Sequence, residues 1–322
     1  MTIQQLRYII ALDKERHFAR AADACIVSQP GLTIQLKNLE EEIGVKIFDR
    51  NKVPLKPTVL GEQIINKAKK ILREVDEMQN FIISEKNALA GNINVGVIVT
   101  LSPYVMPDFI QEMRKIAPQL HLTIKEGSTL SLLNDLEAGI IDIALMATPT
   151  GKKNLREFPV FNEPFIAFLH ADHPVANEPL YKMADIDTSS LLLLHDEYCY
   201  NAQMLAICDI DSNNQSSNYS YNVRTIETLK NLVRANLGFA IVPELSIFHE
   251  LPNPLFKRFM DPQPVREISL VVNDSFSRKL LLEKMSQVIW NNLPENLKTA
   301  FPYKKIKWND SPYFFKSAGI PN

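Results

Sequence analysis

His17-Phe18-Ala19-Arg20-Ala21-Ala22-Asp23-Ala24-Cys25, then Ile26-Val27-Ser28, then Gln29-Pro30-Gly31-Leu32-Thr33-Ile34-Gln35-Leu36-Lys37-Asn38-Leu39-Glu40, reads as a short small-residue helix, a tight turn and a second amphipathic helix. This arrangement lays one helix in a DNA major groove. Ala21, Ala22 and Ala24 are small enough for a neighbouring helix to approach closely. Ser28 is the natural N-cap of the second helix, and Pro30 is tolerated in its first turn. Leu32, Leu36, Leu39 and Ile43 fall on one face and Gly44 ends the run. The opposite face is left to Gln29, Thr33, Gln35 and Lys37. Upstream, Thr2 caps a helix striped by Ile3, Leu6, Ile9, Ile10 and Ala11; downstream, residues 49–57 form a turn-rich basic wing.

This head predicts double-stranded DNA as the partner. Gln pairs bidentate with adenine and Lys with guanine, which places Gln29, Thr33, Gln35 and Lys37 nearest the base edges. Arg20, Arg50, Lys52 and Lys56 are expected at phosphates, fixing register and making affinity salt-dependent. The net charge of −2 over 322 residues neither advertises nor excludes such a partner, because a larger acidic module dilutes a small basic one. No apolar run approaches the roughly 20 residues of a membrane span, and no signal-peptide core opens the chain, so a soluble cytoplasmic protein is expected. Three cysteines in that setting are reactive or buried thiols rather than structural disulfides. No metal-ligand spacing occurs, and no cofactor is expected.

From Thr58 to Leu89 the pattern becomes one long helix. Ile64, Ala68, Ile71, Val75, Met78 and Ile82 step by four and three, a heptad seam for dimerisation or, alternatively, for packing on its own domain. After Gly91, strands are expected at residues 93–98, 120–126, 140–147, 165–170, 191–194, 239–242 and 268–272. Helices are expected at 104–117, 130–138, 229–235 and 278–293. The alternation implies an α/β domain with a mostly parallel sheet. A break near 159–164 and a return near 263–267 suggest two subdomains with a cleft between them. The expected organisation is a DNA-binding head (1–58), a linker helix (59–90), an α/β regulatory domain (91–300) and an aperiodic tail (301–322).

The chain resembles the LysR-type transcriptional regulators over about residues 1–295. The resemblance rests on Phe18-Ala19-Arg20-Ala21-Ala22, Ser28-Gln29-Pro30, Leu39-Glu40-Glu41-Glu42-Ile43-Gly44, Ile47-Phe48-Asp49-Arg50, Thr58 through Gly61, and Glu227-Thr228-Leu229-Lys230-Asn231-Leu232-Val233 with Gly238 and Pro243. It implies a winged helix-turn-helix, a linker-helix dimer assembling as a dimer of dimers, and a two-lobed α/β effector domain of the periplasmic-binding-protein type. It also implies Ser28 and Pro30 at the DNA, with Pro30 against sugar or a thymine methyl, and contact with RNA polymerase. Within the family the chain is most similar to the hydrogen-peroxide-sensing OxyR branch. Val99-Thr100-Leu101-Ser102-Pro103-Tyr104 resembles the loop bearing a peroxide-binding threonine, and Gly127-Ser128-Thr129 falls where a second is expected. Cys199 and Cys208 sit where the sensing and resolving cysteines sit, with Gln203 between them, and Arg266 matches an arginine near the sensing thiol. The chain departs from that pattern at Tyr198, where His is usual, at Asn201, where Arg is usual, and at Ala202, where Asp is usual. Losing nearby cations raises a thiol pKa and slows attack on peroxide, with Arg266 as the compensating charge.

The cysteine spacing carries its own argument. Nine helical steps rotate about 900°, so the two side chains face opposite sides roughly 13 Å apart. A disulfide needs Cα atoms about 4.4–6.8 Å apart. Bonding therefore requires a helical 201–207 segment to melt, and closing a loop of about ten residues biases the equilibrium by roughly 2–3 kcal/mol. Three readings follow. The first is a regulator oxidised by peroxide through Cys199 and Cys208. The second is a regulator binding a small molecule between its lobes, with both cysteines inert and buried. The third is an enzyme such as a thiol peroxidase, against which stand the missing phosphate loop, nucleophile-elbow glycines and metal spacing. Cys25, among alanines, reads as core.

Overall fold

The computed structural model describes residues 1–50, 52, 54–86, 89–182, 190–195, 198–208 and 223–309, and the chain forms two compact units, one through Lys86 and one beyond it. In the first, α1 (Ile3–Glu15) opens with a capping box. Gln5 N–H donates to Thr2 Oγ1 at 3.2 Å, and Thr2 N–H donates to Gln5 Oε1 at 2.8 Å. α2 (Phe18–Ala24) buries Ala21 and Ala22. α3 (Gln29–Ile43) starts at Ser28, whose Oγ accepts from Gly31 N–H at 3.2 Å, and stops at Gly44 with φ 70°. β1 (Phe48–Asp49) and β2 (Lys56–Pro57) pair antiparallel as the wing. α4 (Val59–Lys86) packs its first turn so closely that a Cβ on Gly61 would lie 2.0 Å from Ile47 O.

Leu6, Ile9, Leu12, Leu32, Leu36 and Ile65 form the core of this unit. Of the expected seam on α4, Ala68 is buried in that core, whereas Ile71, Met78 and Ile82 are 40–59 % exposed. Half of the six seam residues are therefore exposed, while Ile64 and Ala68 pack on the head's own core. Residues 87 and 88, where the helix was expected to continue, lie outside the described residues. Among the described residues no helix is long and apolar enough to cross a membrane.

The second unit runs β3 (Gly91–Ile98), α5 (Ser102–Ile116), β4 (Leu120–Gly127), α6 (Thr129–Ala138), β5 (Ile143–Thr148), β6 (Leu155–Phe168), α7 (Cys199–Cys208), α8 (Ile226–Arg234), β7 (Ala240–Pro243), a 3-10 turn at Glu244–Glu250, β8 (Phe256–Arg258), β9 (Gln263–Asn273), α9 (Lys279–Asn292), α10 (Glu295–Lys298) and β10 (Tyr303–Lys305). The sheet order is β4-β3-β5-β9-β6-β7, with β10 on β9 and β8 on β6. Among the described strands, β3–β4, β3–β5 and β9–β10 pair in parallel; β9 lies antiparallel to both β5 and β6, and β6 antiparallel to β7 and β8. The sheet is thus mixed, correcting the expectation of a mostly parallel one. Strand–helix alternation reports only the local βαβ units, and β9 inserts between β5 and β6 from far along the chain.

Two further expectations change. Residues 159–164 are no break but the middle of β6, which bulges between Pro159 and Phe161 and changes partners after Pro164, from β9 to β7 and β8. Prolines, which donate nothing to a ladder, are tolerated at such irregular points. At 191–194 there is no strand: Leu191 makes a single bridge to Phe239, and Asn201 takes up the backbone of Leu194. That bridge brings the chains so near that a Cβ on Gly238 would lie 2.3 Å from Ser190 O.

β6 and β9 tie together two lobes with separate cores. One core holds Val95, Phe109, Leu132, Leu145, Leu270 and Met285; the other holds Phe165, Phe168, Tyr181, Leu229, Phe239 and Ile241. α7 belongs to both, placing Cys199 and Ala202 in the first and Tyr200, Met204 and Ile207 in the second.

Candidate functional site

In the head, Ser28, Gln29, Pro30, Gln35 and Lys37 lie on the exposed face of α3, with Thr33 half-buried beside them. Several already have intramolecular partners. Thr33 Oγ1 donates to Gln29 O at 2.9 Å, Gln35 Oε1 accepts from Gln5 Nε2 at 3.3 Å, and Lys37 lies 3.5 Å from Glu41. Arg20 donates to Glu15 O at 2.6 Å. Lys52 and Lys56 project from the wing into solvent. Arg50 donates to Glu40 Oε2 at 3.2 Å with its guanidinium 6.0 Å from the Phe18 ring centre.

Glu40 is a residue that periodicity misses, since it sits on the core face of α3. Its buried carboxylate accepts from Ile47 N–H (2.8 Å), Phe48 N–H (3.3 Å), Lys46 (3.3 Å) and Arg50 (3.2 Å). One side chain thus clamps the wing to α3. An acid amid the Leu36–Leu39 stripe was the available signal.

In the second unit, the residues expected around a sensing thiol converge from four elements. Cys199 is buried at the first turn of α7, where helix N–H groups favour an anion. Thr129, buried at the start of α6, hydrogen-bonds to the Cys199 sulfur. Arg266 on β9 donates from one terminal nitrogen to Thr100 Oγ1 at 2.8 Å and from the other to Thr100 O at 3.2 Å. Burial pushes the Cys199 thiol above its ordinary range, opposed by the Thr129 hydrogen bond and by the Arg266 charge.

Arg266 is not a free cation. Its Nε lies 2.9 Å and a terminal nitrogen 2.8 Å from Glu163 Oε2 on β6, and both side chains are sealed from solvent. The other Glu163 oxygen accepts from Leu245 N–H at 3.0 Å. Glu163 was not anticipated: an acid between Asn162 and Pro164 resembles a loop residue, and only the pairing of β6 with β9 reveals its partner.

The departures have structural roles. Asn201 is fully buried; its Nδ2 donates to Leu194 O at 2.6 Å and its Oδ1 accepts from Leu194 N–H at 3.0 Å. It anchors the first turn of α7 and brings no charge. Tyr198 stacks edge-on against His195, with ring centres 6.4 Å apart. Tyr200 donates to Ile241 O. Gln203 donates to Ile306 O at 3.3 Å, and its Oε1 is buried without a hydrogen-bond partner among the described residues.

Cys208, at the far end of α7, is half-buried against the other lobe's core, and burial pushes its thiol up to about 12. Both cysteines are free thiols. Tyr104 OH donates from α5 to Glu227 Oε1 on α8 at 3.2 Å, joining the lobes. Cys25 is half-buried against the head's core.

Residues 3–62 match the family described as bacterial regulatory helix-turn-helix protein, lysR family, and residues 86–293 match LysR substrate binding domain. The DNA-binding transcriptional dual regulator OxyR of Escherichia coli K12 is 31 % identical over 291 residues, covering 90 % of this chain and 95 % of that protein. A hydrogen peroxide-inducible genes activator of Pectobacterium carotovorum is 30 % identical, covering 93 % and 99 %. The chain also superposes on a full-length OxyR variant from Pseudomonas aeruginosa with TM-score 0.73, at 32 % identity over 90 % of this chain and 98 % of that one. The head, the two-lobed unit and these likenesses agree: the chain belongs to the LysR family of helix-turn-helix transcriptional regulators and is closely related to its OxyR members.

Proposed function

We propose that this regulator is switched by hydrogen peroxide through Cys199 and Cys208. The observation that carries the reading is the placement of Cys199, buried beside Thr129 and the Arg266–Thr100 pair, with the second thiol at the opposite end of the same ten-residue helix. The Cys199 thiolate attacks one peroxide oxygen and the O–O bond breaks. This gives a sulfenic acid and hydroxide, which takes up the proton the thiol released and leaves as water. The Cys208 sulfur then attacks the sulfenic sulfur, forming the S–S bond and releasing a second water. Two thiols and one peroxide yield one disulfide and two waters, and a dithiol reductant reverses the change. Thr100, Thr129 and Gln203 orient the peroxide, and Arg266 steadies the negative charge that develops on sulfur and oxygen.

The bond cannot close on an intact α7, whose ends are roughly 13 Å apart, so oxidation unwinds it. That unwinding is the signal. The chain assembles through α4 as a dimer and then a dimer of dimers, which binds a promoter operator through Arg20, Ser28, Gln29, Pro30, Thr33, Gln35, Lys37, Arg50, Lys52 and Lys56 and presents a changed surface to RNA polymerase.

The test is to titrate the reduced protein with near-stoichiometric peroxide and map the thiols by mass spectrometry, alongside Cys199→Ser and Cys208→Ser. The expected result is a rapid Cys199–Cys208 disulfide that neither variant forms. Thiols that stay free in excess peroxide would overturn the reading and direct the search to a small ligand between the lobes.

A further inference from the structure

The chain does not end its structured course at α10. Residues 302–309 run back across the second unit as a strap. Tyr303–Lys305 pair in parallel with Gln263–Val265 of β9; Gln263 N–H donates to Pro302 O at 3.1 Å and Ile306 N–H to Val265 O at 2.8 Å. Lys305 pairs with Glu267. Beyond the strand, Ile306 and Trp308 are anchors. Ile306 is buried in the core that also holds Tyr200 and Met204, and Trp308, 1 % exposed, is buried in the core that holds Cys199 and Ala202. The Trp308 indole N–H donates to Ala147 O at 3.1 Å. The strap therefore contributes to the same two cores as α7. The two also meet directly: Gln203, midway between the cysteines, donates its amide to Ile306 O, and the other end of that buried amide has no hydrogen-bond partner among the described residues.

We propose that residues 302–309 are a latch on α7. They hold the helix wound while both thiols are reduced and come loose when it unwinds, an inference whose regulatory meaning rests on the disulfide switch proposed above. Three residues of edge strand are too few to stay paired unaided, so the strap is held by Ile306, Trp308 and the Gln203 contact. The Gln203 contact depends directly on α7 being wound, because unwinding withdraws Gln203 from Ile306 O, and unwinding also takes Ala202 and Met204 out of the cores to which Trp308 and Ile306 belong. The coupling is reciprocal: the factor by which the docked strap favours the wound helix is the factor by which the wound helix favours docking. The strap thus raises the threshold at which Cys199 and Cys208 can meet.

Two measurements on the full-length protein separate this latch from the redox reading. The chain has two tryptophans, so Trp290→Phe leaves Trp308 as the reporter. Its emission is expected to be blue-shifted and shielded from acrylamide when reduced, then red-shifted with several-fold stronger quenching once mass spectrometry shows the disulfide. Unchanged emission with the disulfide in place overturns the latch; failure of the disulfide to form counts against the redox reading alone. The second measurement needs no oxidant. In reduced Trp308→Ala, amide exchange in α7 is expected to accelerate about tenfold while β3 and α5 keep wild-type rates, with Trp308→Phe closer to wild type. Wild-type exchange in α7, or acceleration spread evenly over the unit, overturns the proposal.

Discussion

Replacing Glu163 by Gln removes the countercharge of Arg266 while keeping a side chain that can still accept from Leu245 N–H. Both partners are sealed from solvent, with nitrogen–oxygen distances of 2.8 and 2.9 Å, so the guanidinium left behind is a buried, uncompensated charge. Breaking such a pair from one side costs about 3–5 kcal/mol. Glu163→Gln belongs near the lower end because the shape survives and its one carbonyl oxygen still serves either Leu245 N–H or the Arg266 N–H groups. Arg266→Met belongs near the upper end because it also strips Thr100 of donors at 2.8 and 3.2 Å. The double variant Glu163→Met/Arg266→Met removes both charges and is expected to recover most of the loss. The Cys199 thiol separates the two single variants. Arg266 already opposes the burial that raises this thiol, so Glu163→Gln strengthens that influence and lowers its pKa, whereas Arg266→Met raises it further. Urea unfolding followed by circular dichroism gives the stability, and ultraviolet thiolate absorbance against pH gives the thiol. Same-sign losses of stability with opposite-sign thiol shifts are expected. Stability changes below about 1 kcal/mol, or thiol shifts in the same direction, would refute the assignment of Glu163 as the group that restrains Arg266.

Three other expectations are open to measurement. Burial raises Cys208 to about 12 and also raises Cys199, so the folded state holds these protons more tightly than the unfolded chain; the contribution is complete below about pH 9 and is lost as pH rises towards 12. The urea midpoint of the reduced protein should therefore fall above pH 9, less steeply in Cys208→Ser; equal slopes would argue against burial as the cause. Ile26 adopts φ 56° in the turn between α2 and α3 while 91 % exposed, a left-handed conformation costly to a β-branched residue. After allowing for glycine's greater entropy loss, Ile26→Gly should stabilise the head by about 1 kcal/mol, seen as a 4–8 °C rise in its melting transition. In DNA binding, Lys52→Ala and Lys56→Ala should each reduce the slope of log K against log salt by about 0.9 without altering site preference, whereas Gln29→Ala should relax discrimination by about 1–3 kcal/mol at one base pair.

The head was legible because its rules are local. Thr2, Ser28 and Gly44 announce helix ends within a few residues of the backbone groups they satisfy, and the leucine stripe of α3 repeats at helical spacing. The short βαβ units around β3, α5, β4 and α6 were legible for the same reason. What escaped was set by distant partners. Glu163 meets Arg266 across 103 residues, and no period within β6 signals that its neighbour is β9. The 191–194 run has the composition of a strand but surrenders Leu194's backbone to the side chain of Asn201. The convergence of Thr100, Thr129, Cys199 and Arg266 came from resemblance to a family, since spacing alone left the cysteines readable as ordinary buried thiols. Residues 302–309 carry no pattern because their structure is borrowed from β9 and from two cores already built; residues 310–322 lie outside the described region.

α7 behaves as a rivet driven through two plates. Its residues fill cavities in both lobes at once: Cys199 and Ala202 on one side, Tyr200, Met204 and Ile207 on the other. A rivet cannot be drawn from one plate only. Loss of this ten-residue helix therefore slackens both lobes together, and what leaves the site is a drop in stiffness felt along β6 and β9, the strands the lobes share. Under the proposed switch, a chemical event confined to two sulfur atoms would become a mechanical state shared by both lobes.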